Sequence, residues 1–221
     1  MLAVGDAQRV SGLLQAPPGA RACYVLAHGA GAGMTHPFMG AISNELAARG
    51  VATLRYQFPY MENAGRRPDP PRIAHAAVRA AVAEAARLLP QAALIAGGKS
   101  FGGRMTSQAQ ASAALPGVRG IAFLGFPLHP AGQPSSSRAE HLAQIALPML
   151  FLQGTRDELA DLQLIRALAG ALGSRATLEL FDDADHSFHV RKSSGSTDAQ
   201  VIAGMADSIA AWIDAKVMAA G

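Results

Sequence analysis

A serine between two glycines is the clearest chemical signal in this sequence. Residues 98–102 read Gly-Lys-Ser-Phe-Gly, after an apolar run at 92–96 and before a helical pattern at 100–115. The G-x-S-x-G pattern between a strand and a helix is typical of a tight turn that holds a serine hydroxyl above a sheet. We predict that Ser100 is a nucleophile and that the backbone N–H of Phe101 faces a developing oxyanion. The alternative is that Ser100 only caps the helix.

Two nucleotide-binding interpretations of the glycine-rich segments fail on spacing. Gly98-Lys99-Ser100 is similar to the end of a phosphate-binding loop, but that motif requires a glycine at position 93, where Ala93 lies within a predicted strand. Residues 29–33 read Gly-Ala-Gly-Ala-Gly and lack the G-x-G-x-x-G spacing of a dinucleotide site. We therefore expect no cofactor, and we interpret Lys99 as a solvent-facing or structurally paired residue.

A serine nucleophile needs a base that takes its proton and an acid that orients the base. Asp157 follows an apolar run at residues 149–153, and His186 lies between the last predicted strand and the final helix. Serine, acid and histidine therefore occur in the chain order found in one large class of such sites. We predict that Asp157 is the acid and His186 the base.

Alternatives remain open for both of these residues. Asp157 is also placed to cap the next helix, and His186 is also placed to be a surface histidine. His189 is a rival base. Asp183 and Asp185 are so near His186 in sequence that we interpret them as solvated loop charges.

A second oxyanion donor is expected in the loop after the strand at residues 23–27. Small residues at 29–31 let backbone N–H groups approach a substrate closely, and Ala30 N–H is our candidate. The alternative is an ordinary glycine turn. Four other histidines lack the paired spacing of metal ligands, which disfavours a metal site: His36, His75, His129 and His141.

These candidate residues require a scaffold in which strands and helices alternate. Strand-length apolar runs predict strands at residues 10–14, 23–27, 51–56, 92–96, 120–126, 149–153 and 177–181. Helical patterns lie between them, one of them opening with Asp69 as N-cap and Pro70 as first residue, and residues 197–200 form a possible capping box. This alternation predicts one α/β domain over residues 1–221, with a mostly parallel sheet of about seven strands and helices on both faces.

Composition excludes several other classes of protein. Half of the 221 residues are apolar and 16% are charged, so we expect a packed core rather than disorder. The net charge is only +3 and no basic run exceeds Arg66-Arg67, which argues against a nucleic-acid partner. The first 20 residues carry Asp6 and Arg9 and lack the apolar centre of a signal peptide, and no apolar run is long enough to span a membrane. We expect a cytoplasmic protein without a membrane partner.

Several longer motifs resemble a known superfamily. Together they resemble the α/β-hydrolases over nearly the whole chain, and more closely a compact branch related to the dienelactone hydrolases. The motifs are H-G-A-G at residues 28–31, R-x-x-F-P-Y at 55–60, G-K-S-x-G-G-R at 98–104, G-x-P-L-H-P at 125–130 and D-H-S-F at 185–188. The resemblance implies the same roles for Ser100, Asp157, His186, Phe101 and Ala30.

The resemblance leaves two functions open. The dienelactone hydrolases proper use cysteine where this chain has Ser100, so that activity does not carry over. Relatives in the compact branch include a eukaryotic chromatin-complex subunit with a scaffold role. The first function is a serine hydrolase that cleaves small soluble esters or thioesters through an acyl-enzyme. The second is a non-catalytic binding or scaffold protein on the same fold.

Two loops bear on the substrate of such an enzyme. The loop at residues 60–71 is expected at the mouth of the site, where Arg66 and Arg67 would favour an anionic substrate unless they are simply solvated. Residues 127–148 are too few for a cap domain with its own core. We therefore expect a shallow, open site that prefers short acyl groups. The oligomeric state is left open.

Overall fold

The chain is described here by a computed structural model that covers residues 1–5 and 8–219. Asp6, part of the signal-peptide argument, lies outside the described residues. Nine strands are present in the described residues: β1 (Leu2–Val4), β2 (Gln8–Val10), β3 (Gly12–Gln15), β4 (Ala22–Ala27), β5 (Val51–Tyr56), β6 (Ala93–Lys99), β7 (Val118–Leu124), β8 (Met149–Gly154) and β9 (Ala176–Phe181). The α-helices are α1 (Pro37–Ala48), α2 (Pro59–Glu62), α3 (Pro71–Leu88), α4 (Phe101–Ser112), α5 (Leu162–Leu172) and α6 (Asp198–Trp212). Short 3₁₀ helices lie at Ser137–Gln144, Gly173–Arg175 and Lys192–Ser194, and a π-helix at Ile213–Met218 follows α6.

Seven of the strands form one sheet in the order β3-β5-β4-β6-β7-β8-β9. Strand β3 pairs antiparallel with β5, and every other neighbouring pair is parallel. Strands β1 and β2 form a separate antiparallel hairpin. The predicted seven-stranded, mostly parallel sheet is confirmed.

Helices cover both faces of this sheet. Residues such as Tyr24 and Ile95 stand in register on one face and pack against α1 and α6. Val25 and Ala96 are in register on the other face, which packs against α3 and α4. Helix α5 covers the far end of this second face through Ile165. Because both faces are buried, the central strands read as continuous apolar runs.

The order of the strands creates a crevice above the centre of the sheet. The chain passes from β4 to β5 on one side and then returns to form β6 on the other side of β4. The loops that follow β4 and β6 therefore lead in opposite directions from neighbouring strand ends. Ligands of open α/β sheets bind at such a switch point.

Two local predictions were wrong. The predicted strand at residues 10–14 is divided between two strands in different sheets. The break falls at Ser11, whose N–H and hydroxyl donate to the Glu62 carboxylate at 2.8 and 2.9 Å. Asp69 does not cap α3, which begins at Pro71 with Pro70 as its N-cap. The Asp69 carboxylate instead accepts a hydrogen bond of 3.0 Å from Tyr60 N–H.

The region in which a cap domain was considered is short, as predicted. Within residues 125–148, all of which the structure describes, the one regular element is the 3₁₀ helix Ser137–Gln144. None of the helices in residues 1–5 and 8–219 has the length and apolar character needed to cross a membrane.

Candidate active site

Ser100 sits on a strained turn between β6 and α4. Its backbone angles are φ 48° and ψ −114°, a conformation that non-glycine residues rarely adopt. Its N–H donates to Leu124 O at 3.2 Å, and its carbonyl accepts from Arg104 N–H at 3.1 Å. The side chain makes no helix cap, so the interpretation of Ser100 as a simple N-cap is wrong.

The glycines around Ser100 allow the turn to lie against β4. A Cβ on Gly98 would stand 2.2 Å from Ala27 O, and one on Gly102 would stand 2.5 Å from His28 O. Gly98 also has a φ of 152°. Any side chain at these positions would force the first turn of α4 away from the sheet. The G-x-S-x-G spacing is therefore explained by crowding.

A chain of hydrogen bonds joins Ser100 to a histidine and a carboxylate. His186 Nε2 lies 2.8 Å from Ser100 Oγ, and His186 Nδ1 lies 2.7 Å from Asp157 Oδ2. An ionised carboxylate only accepts hydrogen bonds, so Nδ1 carries the proton and Nε2 is left as an acceptor for the serine hydroxyl. The geometry brings together the three residues that the sequence singled out.

Asp157 is held in place by two further donors. Its side chain is fully buried, and its Oδ1 accepts from Leu159 N–H at 2.8 Å. The side chain of Gln153, at the end of β8, donates to Oδ2 and accepts from Phe126 N–H at 3.0 Å. The helix cap that was the alternative role for Asp157 belongs to Asp161, which accepts from two N–H groups at the start of α5.

The segment that carries His186 is fixed from both sides. Asp185 Oδ1 accepts from the N–H groups of Ser187 and His189 at 2.8 and 3.0 Å, so this residue organises the turn. Lys99 Nζ donates to the carbonyl oxygen of His186. Burial lowers the pKa of Lys99 to about 8, although Asp157 and Asp185 oppose the shift.

The interpretation of Asp183 and Asp185 as solvated loop charges needs correction, and the structure also bears on His189 as the rival base. Asp183 and Asp185 are not merely solvated, because Asp183 pairs with Arg191 and Asp185 shapes the turn. The structure does not bring His189 to Ser100. Its exposed ring lies 2.5 Å from Asp198, whose hydrogen bond raises the histidine pKa.

The loop after β4 is anchored by a buried histidine. His28 Nδ1 lies 2.8 Å from Gly29 O, and His28 Nε2 accepts from Phe58 N–H at 3.0 Å. Burial lowers the pKa of His28, and both ring nitrogens are used in the neutral form. A Cβ on Gly29 would lie 3.8 Å from Ser100 Cβ. His28 therefore holds a loop of small residues against the serine.

Two cavities adjoin Ser100, and both are also lined by Ala30. The first has a volume of about 470 Å³, and its walls include Phe38, Phe188, Lys99 and His186. The aromatic part of these walls comes from α1 and from the segment after His186, not from residues 127–148, on which the prediction of a shallow site was based. Phe38 and Phe188 stack with ring centroids 5.9 Å apart.

The second cavity, of about 350 Å³, contains arginines that the sequence analysis passed over. Arg104 and Arg138 line it together with Phe101 and Ser100. Arg104 is the last residue of the motif G-K-S-x-G-G-R, so the sequence could have indicated it as a candidate site residue. The predicted mouth residues Arg66 and Arg67 are exposed, and neither is among the residues that line these two cavities.

The fold and the serine-centred site together define an α/β-hydrolase architecture, and comparisons with known proteins agree. The sequence profile described as "Alpha/beta hydrolase domain" matches residues 20–214. The chain therefore belongs to this family, and membership supports a hydrolase as the general class of activity.

Solved structures with the same fold cover almost all of the chain. A dienelactone hydrolase from Anabaena variabilis has a TM-score of 0.76 at 19% identity, over 98% of this chain and 95% of that one. The esterase domain of a Rhodothermus marinus protein has a TM-score of 0.73 at 17% identity, over 98% and 97%. A serine hydrolase without lid from Xanthomonas campestris has a TM-score of 0.72 at 18% identity, over 97% and 92%. At these identities the likeness concerns the fold.

Proposed function

We propose that the protein is a serine hydrolase that cleaves carboxylic ester or thioester bonds of small molecules through an acyl-enzyme. The observation that carries the proposal is the hydrogen-bonded chain from Ser100 through His186 to the buried carboxylate of Asp157. Further support comes from the strained turn at Ser100, which is a feature of nucleophiles in this fold.

The proposed reaction uses each residue for one task. His186 Nε2 takes the proton of Ser100 Oγ while the oxygen attacks the substrate carbonyl, and Asp157 stabilises the imidazolium. The new oxyanion accepts hydrogen bonds from Phe101 N–H, the first N–H of α4, and from Ala30 N–H. The C–O or C–S bond then breaks as His186 returns the proton to the leaving group. A water molecule, activated by the same histidine, hydrolyses the acyl-serine and restores Ser100.

The positions of Phe101 and Ala30 in the fold support their role as oxyanion donors. Phe101 opens α4, and the first N–H groups of a helix lack intrahelical partners and carry partial positive charge. Ala30 lines both cavities beside Ser100, in the loop that His28 anchors. Donors of this kind contribute about 3 kcal/mol each to lowering the barrier.

The first cavity supports a modest acyl group. Its volume is within the range of small-molecule sites, and its walls bury part of a chain. We expect kcat/KM for p-nitrophenyl esters to rise from acetate to about hexanoate, because each buried methylene contributes up to ~0.8 kcal/mol. It should then fall towards palmitate. A continuous rise to palmitate would contradict a cavity of this size.

Covalent labelling tests the proposal directly. Phenylmethylsulfonyl fluoride or an organophosphonate should add to Ser100, as shown by intact mass and peptide mapping, and Ser100→Ala should remain unlabelled. Hydrolysis of p-nitrophenyl acetate and of a matched acetyl thioester should be lost in the same variant. A wild-type protein that is neither labelled nor active, beside a competent control enzyme, would favour the scaffold function instead.

A further inference from the structure

The second cavity holds positive charge that the described protein does not neutralise. Arg104 and Arg138 both line it, next to Ser100 and Phe101. Neither guanidinium forms an ion pair or a hydrogen bond with any group in residues 1–5 and 8–219, and Arg104 Nε is buried without a partner. Both side chains are half-buried. Shielding a guanidinium from water without giving it a partner is costly, and arginine does not escape the cost by losing its proton.

The position of Arg104 in the chain adds to this cost. It lies in the first turn of α4, where the partial positive charge of the helix end favours anions and disfavours cations. Burial lowers the pKa of Arg104, and repulsion by Arg138 lowers it further. The two guanidinium groups are therefore close enough to repel each other.

None of the described carboxylates forms an ion pair with Arg104 or Arg138. Asp69 also lines the second cavity, but its carboxylate accepts from Tyr60 N–H and forms no ion pair with a described arginine. His141, which is close enough to Arg104 and His75 for their charges to act on it, supplies no negative charge either. The pKa of His141 is lowered to about 4 by burial, with repulsion by Arg104 and by His75 adding to the effect.

We infer that Arg104 and Arg138 form a carboxylate-binding subsite, and that the substrate is an ester or thioester that carries a carboxylate. This inference rests on the proposed function, because Ser100 and Ala30 line both cavities. The scissile carbonyl lies at Ser100, the apolar part of the substrate lies against Phe38 and Phe188, and the carboxylate lies between the two guanidinium groups. Planar guanidinium groups suit carboxylates because they donate two parallel hydrogen bonds.

Two matched pairs of esters test the charge preference on either side of the scissile bond. The first pair is 4-acetoxybenzoate and its methyl ester, which place the carboxylate on the leaving group. The second is mono-p-nitrophenyl adipate and its methyl ester, which place it on the acyl group. The readout is the ratio of kcat/KM for the charged ester to that for the neutral ester, after subtraction of spontaneous hydrolysis.

The ratio of kcat/KM for the charged ester to that for the neutral ester should depend on Arg104 and Arg138 far more than on other arginines. In one of the pairs, Arg104→Gln and Arg138→Gln should each lower the ratio about 10- to 100-fold. Arg104→Lys keeps the charge and should retain part of the ratio. The control is Arg119→Gln, which removes one exposed arginine near the start of β7, at the opposite end of that strand from Ser100. Ratios in both pairs that are insensitive to Arg104 and Arg138 would overturn the inference.

A binding measurement separates failure of the subsite from failure of the proposed function. Monomethyl adipate, titrated by calorimetry into Ser100→Ala, should bind at least 10-fold more tightly than into Ser100→Ala/Arg104→Gln. Arginine-dependent binding without hydrolysis of any ester keeps the subsite and overturns the serine hydrolase. Hydrolysis of the neutral esters, with no arginine-dependent ratio and no such binding, keeps the hydrolase and overturns the subsite. Circular dichroism confirms that each variant is folded.

Discussion

The two cavities beside Ser100 use their positive charges differently. The first contains Lys99, whose ammonium group donates to His186 O and lies 5.3 Å from the Phe188 ring centroid. The second contains Arg104 and Arg138, which have no partner among the described residues. A charge that is already satisfied by the protein serves the architecture of the site, whereas an unsatisfied charge is available to a ligand.

The walls of the cavities differ for a related reason. Aromatic rings from α1 and from the segment after His186 surround the first cavity, so its interactions are mainly apolar. The second lies between the start of α4 and the 3₁₀ helix Ser137–Gln144. Ser100 thus lies between a cavity with mainly apolar walls and a cavity lined by two arginines.

Loss of the hydrogen-bonded chain should have the largest effect, because both cavities adjoin Ser100 and the proposed reaction takes place there. We expect Asp157→Asn and His186→Ala each to lower kcat by about 10⁴-fold for charged and neutral esters alike. His189→Ala, which removes the rival histidine, should change kcat much less. Steady-state kinetics on folded variants measure this. A larger loss in His189→Ala than in His186→Ala would show that the base has been misidentified.

Lys99→Met should have the next largest effect, and it tests whether the ammonium group in the first cavity positions His186. Methionine has a similar length but cannot donate to His186 O, so the histidine is less firmly placed. We expect kcat to fall about 10-fold with little change in KM. The melting temperature should be unchanged or higher, because removal of a buried cation relieves its desolvation cost.

A purely structural role for Lys99 would give a different pattern. The melting temperature would then fall together with kcat. A substrate-binding role would instead raise KM, and it would do so more for charged esters than for neutral ones. Kinetics with both ester pairs and thermal unfolding of Lys99→Met and wild type distinguish these outcomes.

The fold was largely predictable because parallel strands buried on both faces read as separate apolar runs. Strand β5 was predicted with its observed bounds, and β4 and β6 were predicted as strands at residues 23–27 and 92–96. Strands β2 and β3 were merged, since the break between them depends on the distant Glu62. No local pattern encodes such a contact. The capping box at Thr197 and Gln200 was predictable because it is local.

The proximity of the three central residues of the candidate site was predictable, whereas the groups that hold them in place were less so. Motif and chain order brought out Ser100, Asp157 and His186, and the structure joins them by hydrogen bonds. Lys99 and His28 act through backbone atoms far along the chain, so their sequence neighbours do not reveal the partners. That Arg104 has no ion-pair partner among the described residues could be recognised only once the fold was known.

A smaller effect is expected in the pH dependence of stability, and it concerns a histidine beside the second cavity. His141 lies beside Arg104 and His75, and its Nε2 lies 2.8 Å from Ser107 Oγ. Its pKa in the folded state is about 4, below the value of about 6.5 in an unfolded chain. Between these values the unfolded state binds more protons, so this contribution to stability is fully present above pH 6.5 and is lost as the pH falls towards 4.

Replacement of this histidine should reduce the loss of stability in acid. His141→Gln retains a hydrogen-bonding side chain but does not titrate. Between pH 7 and pH 4.5 its free energy of unfolding should fall by about 1 kcal/mol less than that of the wild type, a figure reduced for the partial exposure of the ring. Urea unfolding at the two pH values measures the difference. Equal losses in both proteins would contradict a depressed histidine pKa beside Arg104.

The smallest effect is expected at Arg66 and Arg67, which the sequence analysis placed at the mouth of the site. Both are exposed, and solvent screens their interaction with a bound carboxylate. The double variant Arg66→Gln/Arg67→Gln should therefore change the charged-to-neutral ratio of kcat/KM by less than about 2-fold at 0.15 M salt. Repeating the assay at 0.01 M salt sharpens the test, since long-range attraction then extends to about 30 Å. A large drop in the ratio that persists at the higher salt would place carboxylate recognition in the loop at residues 60–71 rather than in the second cavity.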